Sequence, residues 1–331
     1  MAGGCLVILA AADLAAYAGV LAGLFLLASG ITILQVAANP LAAALGAPER
    51  SHLRLVLAQA FNSLGTVLGP LVGARFLLRG LDVDGGTAAL GQVGRSFLTI
   101  AGLLVALMLF VWAMRGRLSI ATHSVAPAVS PLAVLREAIS SPWALAGAAA
   151  IFLYVGAEVA IGSQMALFLH DPAVWGIALE RAGYFVSLYW LGAMIGRFAG
   201  SALLVVISAS RLLGLTALGA AVLSLIVLLV GGVAGGWVAL AIGLMNAIMF
   251  PVIFTLTLER STASAEATAG LLCTAIVGGA FVPLAMATMA DRAGYVAAFV
   301  IPIVCYVLLL GFAWAAGRVT SVQEPATPVA H

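Results

Sequence analysis

The sequence contains no lysine, and its 14 basic residues are all arginine. This absence excludes Schiff-base chemistry and the GxxxxGK[ST] phosphate loop of ATP-driven transporters, because both need a lysine amine. Charge of either sign is scarce as well, at 8% of 331 residues, whereas a soluble domain carries about a quarter. So few charges cannot cover a water-facing surface. The sequence therefore predicts a polytopic membrane protein.

Cysteine and histidine are equally rare. The three cysteines share no metal-ligand spacing and are interpreted as small buried residues, and the four histidines fall in predicted loops or the tail. The arginines are scattered along the chain, which does not indicate a nucleic-acid partner. We expect no catalytic residues, no metal and no cofactor, and hence no enzyme activity.

Long apolar runs dominate what remains, and the mean hydropathy is +1.21. A bilayer core of about 30 Å takes about 20 apolar residues in a helix. Nine windows of that size indicate an all-α membrane protein: 16–38, 55–78, 97–114, 143–168, 182–206, 212–232, 236–258, 268–290 and 295–316. Residues 1–12 are apolar but too short to span, and are predicted to form a stub.

The arginines also predict an orientation. Sorted by alternate loops, nine fall on one side and five on the other, and the positive-inside rule places the larger set in the cytoplasm. This makes 115–142 a cytoplasmic linker. The expected organisation is an incomplete N-terminal bundle (1–114), the linker, a six-helix C-terminal bundle (143–318) and a cytoplasmic tail (319–331), multi-pass in the inner (plasma) membrane.

A faint internal repeat relates the two halves. Three landmarks recur at offsets of 210 to 213 residues: Pro40 with Pro251, Glu49-Arg50-Ser51 with Glu259-Arg260-Ser261, and Pro70 with Pro283. The spans 143–168, 182–206 and 212–232 then lack upstream partners, apart from the stub at 1–12. The sequence therefore predicts that two helices and part of a third are missing at the N-terminus.

Two predicted helices each carry a polar stripe at spacing i, i+3, i+7, which places its members on one helix face. The stripes are Thr32, Gln35 and Asn39 on the first helix, and Gln59, Asn62 and Thr66 on the second. Amides offer donors and acceptors and suit a neutral, hydroxyl-rich ligand. The alternative is interhelical hydrogen bonding that only holds the bundle together.

Glu158 is an acid at the middle of the span 143–168, and Tyr154 lies one turn before it on the same face. An ionisable group at this depth costs at least about 2.5 kcal/mol and is read as functional. We expect Glu158 to bind substrate or couple a proton, the alternative being a neutralised or arginine-paired structural acid. Arg197 either reaches the membrane interface or pairs with an acid as a gate.

Glycines repeat every four residues in two predicted helices, as Gly65, Gly69 and Gly73 and as Gly192, Gly196 and Gly200. This spacing is typical of helices that approach closely. We interpret both series as packing surfaces.

At these residues the chain resembles the fucose:proton symporter family of the major facilitator superfamily, which includes glucose/galactose transporters. The resemblance rests on the AANP segment ending at Pro40, the AQAFNSLG segment ending at Gly65, and the runs 154–158 and 195–200. It covers the chain up to Arg318. It implies a major facilitator fold with twelve helices, of which this N-terminally truncated chain would keep nine and the stub.

The resemblance also implies roles for individual residues. The family's sugar-binding asparagine falls on Asn62, with Gln59 beside it. Fucose-type members carry glutamate where this chain has Gln35. In having glutamine at this position, the chain resembles the hexose (glucose/galactose) branch of the family. The family's first-helix aspartate, linked to proton coupling, has no counterpart. Three origins of the truncation stay open: a reading frame assigned too late, a degenerate remnant, or a functional short form.

The sequence thus predicts a secondary transporter of a neutral monosaccharide, driven by a proton or sodium gradient. Candidate substrate-binding residues are Gln35, Asn39, Gln59, Asn62, Tyr154 and Glu158, with Glu158 coupling and Arg197 gating. Two rivals remain: a facilitator that exports hydrophobic compounds, and a remnant that does not transport.

Overall fold

The chain folds into helices, which the computed structural model describes for residues 1–14, 16–44, 51–73, 87–118 and 130–319. Within these ranges no β-strand occurs. Residues 119–129 of the predicted linker and 320–331 of the predicted tail lie outside the described residues, so the expectations for those residues stay predictions.

Thirteen α-helices make up the described part of the chain. Their bounds are α1 Ala2–Asp13, α2 Tyr17–Ala44, α3 Ser51–Gly73, α4 Thr87–Leu118, α5 Pro131–Ser140, α6 Pro142–His170, α7 Leu179–Leu203, α8 Ala209–Val230, α9 Gly232–Asn246, α10 Met249–Arg260, α11 Ala265–Ala275, α12 Gly278–Ala293 and α13 Val300–Arg318.

Seven stretches of the described residues are long and apolar enough to cross a membrane. They lie in α2, α4, α6 and α8, in the consecutive pairs α9–α10 and α11–α12, and in α13 with the short 3₁₀ turn before it. The other two predicted spans coincide with α3 and α7, helices of 23 and 25 residues. The count of nine therefore stays a prediction. α1 has 12 residues, too few to span.

Contacts divide the chain into two units. The first combines Met1–Leu45 with Leu68–Ala128, and in it α1 packs on α2 and α4. The second combines Gly46–Val67 with Val129–His331, and in it α6 contacts α7, α10, α12 and α13. Most of α3 is thus grouped with the second unit, although the sequence placed it in the N-terminal bundle. The predicted domain boundaries stay a prediction.

Two spans expected to be continuous are broken. Residues 247 and 248 separate α9 from α10, and residues 276 and 277 separate α11 from α12. Proline explains the first break, since Pro251 has no N–H to donate to the carbonyl of Ala247, four residues earlier. At the second, the Val277 N–H donates to Thr274 O at 3.2 Å, which tightens the chain into a turn.

Close backbone contacts hold the second unit together. A Cβ added at Gly196 would overlap the Leu244 carbonyl oxygen, and one added at Gly278 would overlap the Phe152 carbonyl. α7 and α9, and likewise α6 and α12, therefore touch backbone to backbone. The packing interpretation is confirmed for the series that contains Gly196. At Gly65 an added Cβ meets no described atom within 4 Å, so close packing is not seen at this position of the other series.

The short helix α5 is attached to the second unit by polar contacts. The Ser264 backbone N–H donates to Glu137 Oε1 at 2.6 Å, just before α11 begins. Ser141, between α5 and α6, shares a hydrogen bond of 3.1 Å with Ser261, which in turn bonds Thr268 at 2.7 Å. The described C-terminal part of the linker is thereby held against the bundle.

The close contact of α7 with α9 leads to a stability prediction. Gly196→Ala should lower the free energy of unfolding by roughly 1–3 kcal/mol, because the new Cβ must displace backbone. The matched control is Gly183→Ala on the same helix, where an added Cβ meets nothing within 4 Å. It should be neutral or stabilise by about 0.5–1 kcal/mol. Thermal unfolding in detergent measures both, and equal effects would contradict the packing argument.

Candidate polar site of the second unit

A buried ion pair joins α6 to α7. Arg197 Nη2 lies 3.9 Å from Glu158 Oε1, and the two side chains are 10% and 11% exposed. Removing two charges from water is costly unless they are paired and hydrogen-bonded. The arrangement therefore depends on what else surrounds these two groups.

Arg197 donates to three further groups. Its Nε donates to the backbone carbonyl of Ala247 at 2.9 Å, and its Nη1 donates to the Gln59 carbonyl at 3.3 Å and to the Ser63 hydroxyl. The planar guanidinium carries five N–H donors in a fixed fork, so it can serve several acceptors at once. One side chain thus links α3, α6, α7 and the break between α9 and α10.

The break supplies an acceptor that an intact helix would not. Pro251 cannot donate to the Ala247 carbonyl, so that oxygen is left without its helical partner. A buried carbonyl without a donor costs about 1–3 kcal/mol. The Arg197 Nε takes the place of the missing N–H. Pro251 and Arg197, 54 residues apart in the sequence, therefore act together at this break: the proline frees the carbonyl and the arginine bonds to it.

A second polar chain lies beside this pair. Tyr306 Oη donates to Asn246 Oδ1 at 2.8 Å, and Asn246 Nδ2 donates to Tyr189 Oη at 2.8 Å. Tyr189 in turn donates to the Glu158 backbone carbonyl at 3.1 Å. These three side chains are fully buried. The chain connects α13, α9, α7 and α6 through groups that find all their partners within the protein.

Two polar atoms at this site are left open. Among the described residues, neither Tyr154 Oη nor Glu158 Oε1 has a hydrogen bond of good geometry, although both are buried. Tyr154 lies one turn before Glu158, and the two groups are close enough to interact. Open buried oxygens next to a guanidinium can receive a proton or the hydroxyl of a ligand.

The structure brings together four of the residues named from the sequence. Glu158, Arg197 and Tyr154 meet at the pair, and Gln59 reaches it through its backbone carbonyl. In the structure Arg197 pairs with an acid, Glu158. The gating role of Arg197 and the coupling or structural role of Glu158 stay predictions.

The remaining candidates lie elsewhere on α2 and α3. Asn62 is exposed on α3, and Gln35 is partly exposed on α2 in the first unit. The side chain of Asn39 lies outside the described residues. The binding roles of these three residues stay predictions.

None of Asn246, Tyr189 and Tyr306 was singled out from the sequence as a site residue. The repeat contained a signal for the first of them: the offset of 211 residues that relates Pro40 to Pro251 also places Gln35 on Asn246. Both are amides five residues before a proline. No comparable signal marks Tyr306, because its apolar helix α13 has no polar pattern around it.

The polar groups of this site are hydrogen-bonding and ionisable side chains. Within the described ranges no group of three or more His, Cys, Asp and Glu side chains could hold an ion. The groups with open oxygens are the Glu158 carboxyl and the Tyr154 phenol, and they lie beside the Arg197 guanidinium. They can bind a neutral polar molecule or a proton.

Comparison with known proteins finds transporters. A glucose/galactose transporter of Brucella abortus is 41% identical over 307 residues, which cover 92% of this chain and 73% of that protein. A putative glucose/galactose transporter of Helicobacter pylori is 32% identical over 326 residues, covering 94% and 77%. The L-fucose-proton symporter of Escherichia coli is 30% identical over 328 residues, covering 92% and 73%. No protein-family model matches the chain.

The fold agrees with these relatives. FucP, a major facilitator superfamily transporter crystallised in the outward conformation, superposes with a TM-score of 0.78 at 26% identity, over 96% of this chain and 81% of that one. Fold and relatives together define a multi-pass membrane transporter rather than an enzyme. The chain belongs to the fucose–proton symporter family of the major facilitator superfamily, together with the glucose/galactose transporters. The resemblance and the major facilitator fold expected from the sequence are confirmed.

The buried chain of phenols and amide leads to a second prediction. Tyr306→Phe removes the donor to Asn246 Oδ1 and should lower the free energy of unfolding by about 1–3 kcal/mol. Tyr184→Phe is the control, since Tyr184 is 56% exposed, and should change stability by less than about 0.5 kcal/mol. If both variants unfold at the same temperature in detergent, the hydrogen bonds that link Tyr306, Asn246 and Tyr189 do not contribute to stability.

Proposed function

We propose that this chain carries a neutral monosaccharide across the inner membrane by alternating access, driven by the proton gradient. A hexose such as glucose or galactose is the favoured cargo, with fucose as the alternative. The support is the 41% identity to a protein named glucose/galactose transporter and the 30% identity to an L-fucose-proton symporter. Gln35, in place of the fucose-type glutamate, favours the hexose.

The observation that carries proton coupling is the Glu158–Arg197 pair. Glu158 is buried in a membrane span, 3.9 Å from Arg197 Nη2, with Oε1 open. A carboxyl in this position can take up a proton and release it. Protonation removes its attraction to the guanidinium, whereas Arg197 keeps its hydrogen bonds to Ala247 and Ser63. Proton binding would therefore weaken the side-chain contact between Glu158 on α6 and Arg197 on α7.

This change gives Arg197 its gating role in the proposal. Backbone carbonyls, which do not titrate, hold the guanidinium in place. Its partner Glu158 carries a carboxyl, which can titrate. The charge state of one side chain thus biases a contact between helices, which is what a two-state gate requires.

The amides supply the sugar contacts in the proposal. Asn62 is exposed on α3, and Gln59 lies one turn before it on the same face. Together with Gln35 and Asn39 on α2, they offer donors and acceptors in equal number. Hydroxyl groups of a sugar are matched by such groups, whereas a hydrophobic cargo would leave them unpaired at a cost of about 1–3 kcal/mol each.

The membrane topology is part of the same proposal. All nine predicted spans would cross the bilayer, including α3 and α7, with 115–142 as a cytoplasmic linker and 143–318 as the C-terminal bundle. The arginine distribution of nine against five supports this orientation.

The coupling role leads to a third prediction. Glu158→Gln should reduce proton-driven accumulation of radiolabelled hexose in proteoliposomes by about tenfold or more, because the titrating group is gone. Exchange of sugar without a gradient should persist, since glutamine keeps the size and an acceptor for Arg197. Uptake with and without an imposed pH gradient, and then with a sodium gradient, measures this.

The control is Glu266→Gln, an exposed acid at the start of α11, which should transport like the parent chain. Equal loss of exchange and accumulation in Glu158→Gln would instead assign this acid a structural role. Stimulation by sodium but not by protons would overturn the choice of ion.

The sugar site leads to a fourth prediction. Asn62→Ala should lower exchange of hexose by about tenfold or more, because each lost hydrogen bond to a ligand is worth about 1–2 kcal/mol. Asn62 is exposed, so the variant should fold. Leu64→Ala, at a position of the same helix that is 44% exposed, is the control.

The same assay separates the two rival functions. Normal hexose exchange by the Asn62 variant would remove this residue from the site. A parent chain that moves hydrophobic dyes but no hexose would be an exporter, and one that moves neither would be a remnant.

A further inference from the structure

A groove of about 800 Å³ runs between α8 and α13. The two helices are antiparallel there: a Cβ added at Gly317 would lie 3.5 Å from Ser210 Oγ, and one added at Gly214 would lie 3.8 Å from Ala313 Cβ. The groove exists because glycines line both sides, so no side chain fills the space between the helices. An added Cβ at Gly311, on its wall, meets nothing within 4 Å.

The groove has an apolar wall and a basic end. Leu215 and Leu218 on α8, together with Leu310 on α13, form the wall, and the leucines of α8 are 58% and 49% exposed. Arg211 and Arg318 line the same groove, and the antiparallel pairing puts both at one end of it. Such a surface suits a ligand with a long apolar part and an anionic head.

The two arginines at the basic end of the groove are positioned to bind an anion. The Arg318 guanidinium stacks 3.6 Å above the Trp314 ring, a pairing that fixes its direction. Arg211 sits in the first turn of α8, where backbone N–H groups also favour negative charge. Two guanidinium groups next to a helix N-terminus match a phosphate.

We propose that this groove binds one anionic phospholipid, with the phosphate held between Arg211 and Arg318 and an acyl chain along the leucine wall. From Leu310 to Arg318 the wall measures about 12 Å at 1.5 Å per residue. The volume lies within the roughly 300–1,000 Å³ of ligand sites. α8 and α13 both lie in segments apolar enough to cross the membrane, which favours a lipid as the occupant over a water-soluble anion. The site is separate from Glu158 and Arg197, which lie on α6 and α7.

The test is lipid binding by the full chain. The protein is purified in detergent, stripped of lipid, and titrated with phosphatidylglycerol or phosphatidylcholine, and bound lipids are counted by native mass spectrometry. We expect one phosphatidylglycerol with at least about tenfold preference, because each basic residue near an anionic lipid contributes roughly a factor of five. Equal binding of the two lipids overturns the proposal. So does displacement of phosphatidylglycerol by inorganic phosphate at similar concentration, since that makes the site a phosphate site only.

Two sets of variants test the two parts of the groove. Arg211→Gln with Arg318→Gln should weaken phosphatidylglycerol binding about 25-fold by the same reasoning. Arg115→Gln is the charge control, because Arg115 also stacks on a tryptophan, at 4.2 Å from Trp112, on another helix. Unchanged binding in the double variant, or equal loss in the control, overturns the assignment.

Gly311→Leu fills the apolar part and leaves both arginines in place. It should abolish the one-lipid complex, whereas Gly102→Leu on α4, also at a position where an added Cβ meets nothing within 4 Å, should not. This pair keeps the test decisive if the double arginine variant fails to fold. Normal lipid binding by Gly311→Leu would show that the groove does not hold the acyl chain.

Discussion

The second unit depends on satisfying one buried guanidinium. Arg197 is nine-tenths buried in a chain where charge is scarce, and a charge in such a place is tolerated only if every donor finds an acceptor. Its partners come from three other parts of the chain. The Gln59 carbonyl and Ser63 on α3 and the Ala247 carbonyl after α9 accept hydrogen bonds, and Glu158 on α6 is the ion-pair partner at 3.9 Å. Each partner is therefore fixed in position by the same requirement.

A neighbouring series of neutral groups is also hydrogen-bonded from end to end. It runs through Tyr306, Asn246, Tyr189 and the Glu158 backbone carbonyl. Both networks meet at α6, one at the Glu158 side chain and the other at its backbone. The neutral chain can hold α6 in place while the charge on the carboxyl changes. This arrangement suits a transporter, because α6 can stay packed while the contact between Glu158 and Arg197 is made and broken.

The sequence predicted the parts of this site that stand out against an apolar background. Glu158 and Arg197 were found because a charge within a membrane span is rare and costly. The helices were found because apolar runs of about 20 residues have few other uses in proteins. The partner of Arg197 was not predictable, because it depends on which helices pack together. The break after Asn246 was missed because Pro251 lies several residues beyond it, and the break after Ala275 was missed because its surroundings remain apolar throughout. Tyr306 looks like any aromatic of a membrane helix until its neighbour is known.

The interruption between α9 and α10 has a mechanical consequence. A continuous helix bends only by stretching several backbone hydrogen bonds at once, so it behaves as a stiff rod. At residues 247 and 248 the helix is interrupted by a turn, and the Ala247 carbonyl oxygen accepts a hydrogen bond from the Arg197 side chain of α7 instead of from a backbone N–H. The span therefore consists of two short rigid segments with a compliant joint between them. Tilting α10 against α9 would strain one side-chain contact rather than unwind a turn, so the stiffness of this span is set by α7 as much as by its own backbone.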